Sequence, residues 1–326
     1  MRALDDLAGR FEAWFYPAGA GVHWYRGGTV HKGSKTAKLA ALLAAAYVCA
    51  LPAVNDALVA GARLTLLPLL LRTPWWAGPL LFPLCVGATT CALYHCHALA
   101  LDARAAALWA TPAGRARTKA QPRRDISPAL RASAVRRGNL NAFLTGVAGS
   151  GLLVLHVRVR PWAARADAES NGFGAFLADA AIAYAWIDFS AYWLHRALHA
   201  HAGVYAALHR SHHVYQVPCA HAAFASHPAD FLVFQLLGMA VLAFVRLHPL
   251  AFAFAAVPTA YHNQIEHSGL LLTGEMPWAP TPAFHDDHHA QYTCNFGFET
   301  TLWDWAFGTL RRTKGKYGED AHEQAR

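Results

Sequence analysis

The chain has 326 residues, 55% of them apolar and 15% charged, against about 25% charged in an ordinary globular protein. With a mean hydropathy of +0.19, this excludes an extended disordered chain and a small disulfide-stapled secreted fold. Lys and Arg exceed Asp and Glu by 28 to 20, a net charge of +8 with neutral histidine. The bases cluster beside apolar runs, which favours a membrane surface over nucleic acid as the partner.

The N-terminus, Met1-Arg2-Ala3-Leu4-Asp5-Asp6, lacks the charged-then-apolar order of a signal peptide. Apolar runs of about 20 residues are long enough to cross a bilayer. Such runs, or near approaches to them, fall at Ala37–Val54, Leu58–Leu71, Trp75–Leu101, Asn139–Val157 and Ala175–Leu194. Phe231–Leu247 and Leu250–Ile265, split by His248-Pro249, read as a helical hairpin. Leu58–Leu71 is short and holds Arg63, which suits an interfacial segment, and Trp75-Trp76 suits a headgroup belt. About six spans are expected. Between Asp102 and Arg137 nine bases face two acids, so the positive-inside rule makes this loop cytosolic. Parity puts the N-terminus, residues 195–230 and residues 266–326 on the same side, in agreement with the basic tail Arg311, Arg312, Lys314 and Lys316. The expected fold is all-α: a polytopic membrane helical bundle carrying a cytosolic, histidine-rich di-metal cap.

The six cysteines (Cys49, Cys85, Cys91, Cys96, Cys219, Cys294) form no Cys-x-x-Cys pair and read as small buried hydrophobes. Histidine is the outlier: 14 of the 20 lie between His195 and His289. His195-Arg196-Ala197-Leu198-His199 spaces two imidazoles i, i+4 on one helical face, so that both can reach one ion. His209-Arg210-Ser211-His212-His213 and His285-Asp286-Asp287-His288-His289 repeat an i, i+3, i+4 spacing. Eight imidazoles exceed the needs of one ion, so two metals are expected. Imidazole donors suit Zn, Fe, Cu or Ni and exclude Mg and Ca. Between His195 and His289 neither the Glu-x-x-His of soluble di-iron bundles nor the His-Glu-x-x-His of zincins occurs. Histidines standing alone, such as His95, His97, His201 and His221, read as structural. Metal-bound imidazoles ordinarily donate their second N–H to a carboxylate. Asp188, seven residues before His195 on the same helical face, is a candidate for that role, as are Asp230, Glu266, Asp286 and Asp287.

The ordered boxes between Ala175 and Thr309 resemble the fatty acid hydroxylase superfamily, which contains sterol desaturases and methyl-sterol oxidases. The resemblance rests on Asp188-Phe189-Ser190-Ala191-Tyr192-Trp193-Leu194-His195, the three boxes, Ser226-His227-Pro228-Ala229-Asp230, Glu266-His267-Ser268-Gly269, Asn295-Phe296-Gly297 and Trp303-Asp304-Trp305-Ala306-Phe307-Gly308-Thr309. It implies a cytosol-facing membrane di-iron oxygenase, in the endoplasmic reticulum of a eukaryote. Such an enzyme uses O2 and electrons from cytochrome b5 and an NAD(P)H-dependent reductase, with zinc as a possible substitute metal. Its implied ligands are His195, His199, His209, His212, His213, His267, His285, His288 and His289, with His262 a further candidate and His227 either a supporting residue or a helix cap. Asp230 stands where the family usually has Glu, and Leu270-Leu271-Leu272 replaces an aromatic-acidic stretch. No His-Pro-Gly-Gly haem motif occurs, so a fused cytochrome b5 domain is not expected. Residues 171–312 are read as the di-iron domain, 1–170 as a membrane region without a matching motif, and 313–326 as a polar tail. The leading expectation is 4-methyl-sterol oxidation. Sterol desaturation and fatty acid or alkyl-chain hydroxylation follow, with a divalent-metal transporter as the distant non-enzyme rival.

Overall fold

The computed structural model describes residue 74 and residues 80–159, 173–245, 247, 249–271 and 279–311. The runs at 37–54 and 58–71, the Trp75-Trp76 pair and the tail 313–326 lie outside the described residues. Among the described residues all regular structure is helical, apart from one β-bridge between Lys119 and Leu270.

Numbered from the first described helix, α1 (Phe82–Trp109) is joined through α2 (Pro112–Thr118) to α3 (Pro128–Val159), and α4 spans Phe173–Ala200. The short α5 (Ala202–Ala207) and two 3₁₀ turns, His209–Ser211 and Ala220–Phe224, lead to α6 (Pro228–Met239) and α7 (Val241–Phe244). After these come α8 (Pro249–His267), α9 (Pro282–Gln291) and α10 (Leu302–Ala306). By length and composition α1, with 28 residues, is the one helix among the described residues able to cross a membrane. At about 1.5 Å per residue it exceeds the roughly 30 Å hydrocarbon core. The runs at 139–157, 175–194 and 250–265 are also helical, within α3, α4 and α8, and α6 and α7 carry the run from 231 as far as Phe244. Polar groups such as Asn141, Asp179 and Asp188 interrupt the longer of them.

Helices α1 and α3 pack closely because both are glycine there: a Cβ on Gly146 would come within 2.7 Å of the Gly87 Cα. A core of Tyr94, Ala142, Ala223, Phe224 and Phe231 joins α1 and α3 to the second 3₁₀ turn and α6, with Tyr94 stacked on Phe224 at 4.5 Å. A second core of Ala183, Val241, Leu242, Leu247 and Ala255 joins α4, α7 and α8. Conversely, Leu84, Leu99, Ile182, Trp193, Leu236 and Phe244 are exposed.

Helix α9 reverses the ordinary rule that charged residues stay outside. Every residue from Pro282 to Ala290 is buried, including two aspartates and three histidines. Thr281 starts it by accepting the Phe284 N–H at 3.1 Å, with Pro282 in the first turn where a missing N–H costs nothing. It ends at Tyr292, whose φ of 63° is left-handed. A polar helix buried in this way needs partners, and these define the site.

Candidate metal centre

His195 and His199 occupy the last turns of α4, and His209, His212 and His213 surround the 3₁₀ turn after α5. His267 ends α8, while His285, His288 and His289 share α9. The fold gathers these nine into two groups: His195, His199, His209, His213 and His288 in one, and His212, His267, His285 and His289 in the other. Within each group the potential ligand atoms lie within 4.8 Å of one another. The groups adjoin, since His213 and His289 rings are 4.6 Å apart.

Backbone carbonyls and one carboxylate set the tautomers. His195 Nδ1–H donates to the Phe296 carbonyl at 2.9 Å, His288 Nδ1–H to Cys294 at 2.8 Å, and His267 Nδ1–H to Asn263 at 2.8 Å. A carbonyl can only accept, so in these rings the Nε2 lone pair is left facing inward. His209 Nδ1 lies 3.0 Å from Asp230 Oδ2, which fixes a fourth ring in the same way. The inward Nε2 atoms of His195, His209 and His288 are buried without a protein hydrogen-bond partner. Elsewhere Nε2 meets Nε2: His213 and His199 at 3.1 Å, His267 and His212 at 3.2 Å, His285 and His267 at 2.8 Å, His289 and His285 at 3.0 Å.

Burial pushes His267 down to about 4 and His288 to about 3, and depresses His195, His199, His212, His213, His285 and His289 as well. The neighbouring imidazoles depress the latter six further. Neutral imidazole is the ligating form. Buried lone pairs converging on one another are costly unless something satisfies them. Nitrogens bound about 2.0–2.1 Å from one ion lie roughly 3 Å apart when the bonds meet near a right angle. The two groups therefore fit two metal ions.

The remaining residues singled out in the sequence fall elsewhere. His262 belongs to neither group; its Nε2 donates to the Pro280 carbonyl at 3.2 Å and its Nδ1 lies 3.5 Å from Glu299. His227 is exposed and caps α6, its Nδ1 accepting the Ala229 N–H at 3.2 Å. Asp188 does not take a ligand N–H, contrary to the sequence reading. It accepts from Glu299 N at 3.3 Å, Thr300 N at 3.0 Å, Thr300 Oγ1 at 2.6 Å and Trp303 Nε1 at 2.9 Å. Sharing a helical face with His195 places it two turns away, where the 299–303 turn packs instead. Asp286 accepts from Gln121 Nε2 at 2.6 Å, while Glu266 and Asp287 are buried beside their histidine neighbours in the chain.

Sequence reasoning passed over Asp304 as anything more than part of a motif. Its carboxylate accepts from Phe296 N at 2.9 Å, Gly297 N at 2.7 Å and Thr309 Oγ1 at 2.6 Å, so it holds the peptide whose carbonyl orients His195. Gly297 is required there, because a Cβ would meet the Thr300 carbonyl oxygen at 2.4 Å. Outside the centre, His95 Nδ1 and His221 Nε2 pair at 3.0 Å, in keeping with a structural role.

Among the described residues, an all-helical frame brings together two adjoining groups of histidines, each of which could hold a metal ion. Residues 180–309 match the fatty acid hydroxylase family model. The chain is 31% identical to mouse lathosterol oxidase over 138 residues, covering 41% of this chain and 46% of that one. A probable Delta(7)-sterol 5(6)-desaturase of Neurospora crassa is 33% identical over 129 residues, covering 39% and 37%. Sphinganine C4-monooxygenase 1 of Arabidopsis thaliana is 30% identical over 151 residues, covering 43% and 56%. The matched stretch thus spans between 37% and 56% of each of these relatives' length. No solved structure matches the chain.

Proposed function

We propose that this chain is a membrane-embedded di-iron oxygenase that oxidises an unactivated C–H bond of a sterol or related lipid. The observation that carries this reading is a cavity of about 430 Å³ walled by α1, α3, α4, α6 and α8 that reaches His209 and His212, one histidine from each group. Leu93, Phe231, Phe234, Leu242, Phe252 and Val257 supply apolar walls, while Asp230, Asn263 and Glu299 supply polar groups. That volume and lining suit a small lipid held by shape and fixed by a few polar contacts. The outward apolar residues of α1, α4, α6 and α7 suit a bilayer, with several helices spanning it and the histidine cap on the cytosolic side.

Iron rather than zinc is proposed because lipid oxidation needs a redox-active ion, and zinc has no redox chemistry. Hydroxylation consumes O2, two electrons and two protons and yields one water; desaturation consumes the same and yields two. The proposed electron source is cytochrome b5 with an NAD(P)H-dependent reductase, at the endoplasmic reticulum membrane in a eukaryotic cell. In this reading the protein's own groups hold nine imidazoles neutral and oriented, exclude water from the cavity's apolar end, and leave Asp230, Asn263 and Glu299 to orient the substrate. A transporter needs ligands that let go of the ion, whereas here carbonyls and a carboxylate lock four rings.

The motif Glu266-His267-Ser268-Gly269 favours 4-methyl-sterol oxidation, whereas the similarity to a probable Delta(7)-sterol 5(6)-desaturase favours desaturation of a Δ7-sterol. Iron-loaded chain in lipid nanodiscs, given reductant and O2, should convert at least one of a 4-methyl sterol, a Δ7-sterol and a long-chain sphingoid base. Mass spectrometry separates the outcomes: gain of oxygen marks hydroxylation, and loss of two hydrogens marks desaturation. Protein holding two irons that converts none of the three would overturn the oxygenase reading.

A further inference from the structure

The family match begins at residue 180, yet a strap that precedes it ties the metal centre together. After α2 the chain runs antiparallel to the segment following His267. Ala120 N donates to the Gly269 carbonyl at 2.9 Å, and Leu271 N donates to Thr118 O at 2.8 Å. Lys119, buried between them, is fastened by its Nζ to Asp125 at 2.5 Å and to the Arg124 carbonyl. It also lies over the Trp109 ring at 4.9 Å.

At the end of this pairing Gln121 is fully buried and spends both protons of one amide nitrogen on the site. Nε2 donates to the Gln216 carbonyl at 2.8 Å and to Asp286 Oδ1 at 2.6 Å. Gln216 follows His213 by three residues, and its own amide donates to the Tyr292 hydroxyl at 3.1 Å. Tyr292 packs its ring 4.9 Å from that of His213. Asp286 follows His285 on α9. The strap therefore touches all three loop-borne ligand segments: the turn with His209, His212 and His213, the end of α8 with His267, and α9 with His285, His288 and His289.

We propose that Gln121 is a positioning residue for the metal centre, clamping α9 to the His209–His213 turn from outside the family domain. This rests on the reading of the nine histidines as metal ligands. Helix α9 carries histidines to both groups, so a small shift of α9 displaces donors at both ions at once. Only a side chain with two donors on one nitrogen and this reach satisfies Gln216 and Asp286 together. A glutamate in its place keeps the shape, removes both donors and sets a like charge against Asp286.

The test is the release of cobalt(II), used as probe metal, to a chelator from full-length protein in detergent, with the cobalt absorption spectrum followed in parallel. Wild-type protein should hold two cobalt ions. Gln121→Glu should release cobalt about 10–100-fold faster, as loss of a partner behind a ligand commonly does, and its spectrum should shift. Adding Asp286→Asn to Gln121→Glu swaps donor and acceptor across that one contact while leaving the Gln216 carbonyl without its donor, and should restore part of the slow release. Arg115→Ala removes the Arg115–Asp125 ion pair of the strap and the Arg115 Nε bond to the Pro122 carbonyl (both 2.6 Å), loosening the strap without touching a ligand segment, and should release at the wild-type rate. Wild-type protein that holds two ions while Gln121→Glu releases them equally slowly would overturn the proposal and leave the metal reading standing. A Gln121→Glu effect that Asp286→Asn does not relieve, or that Arg115→Ala reproduces, would also overturn it by marking the strap as a general stabiliser. Should Gln121→Glu not accumulate, Gln121→Met supplies the same release comparison. Wild-type protein that holds no metal removes the reading beneath both.

Discussion

At the residue scale, what separates a ligand from a bystander is where the second ring nitrogen goes. His288 gives Nδ1–H to a carbonyl at 2.8 Å and leaves a buried, partnerless Nε2 among four other imidazoles. His262 points one nitrogen at the Pro280 carbonyl and the other toward Glu299. His288→Ala should therefore lose most bound metal, measured by elemental analysis, while His262→Ala should keep two ions. A His262→Ala protein that loses metal would return that residue to the ligand set. The same burial sets a pH dependence for the metal-free protein. His267 and His288 titrate near 4 and 3 when folded, against roughly 6.5 in an unfolded chain. The folded state thus binds fewer protons in that interval, so stability is full above about pH 6.5 and falls as pH drops toward 4 and then 3. Thermal melting of chelator-treated protein between pH 7 and 4 should show a steadily falling Tm; a flat profile would mean that these rings are solvated.

At the element scale, two buried carboxylates organise the segment from Cys294 to Thr309. Asp304 holds the Phe296 and Gly297 peptides, and Asp188 gathers four donors from Glu299, Thr300 and Trp303. Asp188→Asn weakens an acceptor shared by four donors, so a stability loss of about 1–3 kcal/mol is expected. Metal content should stay at two ions, because no ligand ring depends on Asp188 directly. Denaturant unfolding alongside elemental analysis checks both halves of that statement. Asp188 also shows where sequence reading reaches its limit. The boxes at His195 and His285 were legible because i, i+3 and i+4 spacing is a local property of a helix, whereas the His209 box lies on a 3₁₀ turn and was legible only as a repeat of that spacing. The apolar runs that became α3, α4 and α8 were legible for the same reason. Asp188 shares a face with His195, and that much was correct, but its partners lie 111 to 115 residues further along the chain. The carbonyls of Asn263, Cys294 and Phe296 carry no side-chain signature at all. Gln121 meets Asp286 across 165 residues, a contact that no local pattern announces.

At the scale of the whole molecule, the two histidine groups and the helices beside them meet at the cavity, and in the proposed reading its walls are the natural determinant of which lipid enters. Residues 1–170, which matched no motif, contribute Thr90, Leu93, Tyr94, Thr145, Gly146, Gly149 and Ser150 to those walls. Substrate choice in this reading is thus shared between the family domain and helices that precede it. Gly149 offers a clean test, because a Cβ there would meet only Met239 Sδ, at an ordinary 3.7 Å. Gly149→Leu can therefore be accommodated in α3 at its first side-chain atom and adds bulk along a cavity of about 430 Å³. Two bound metals and an unchanged Tm are expected, together with at least a roughly tenfold loss of turnover on a rigid sterol and a smaller loss on a flexible alkyl chain, since added volume discriminates by shape. Equal turnover of both substrates by wild-type and Gly149→Leu protein would mean that the lipid reaches the two histidine groups by another route, and the α1–α3 wall would lose its part in specificity.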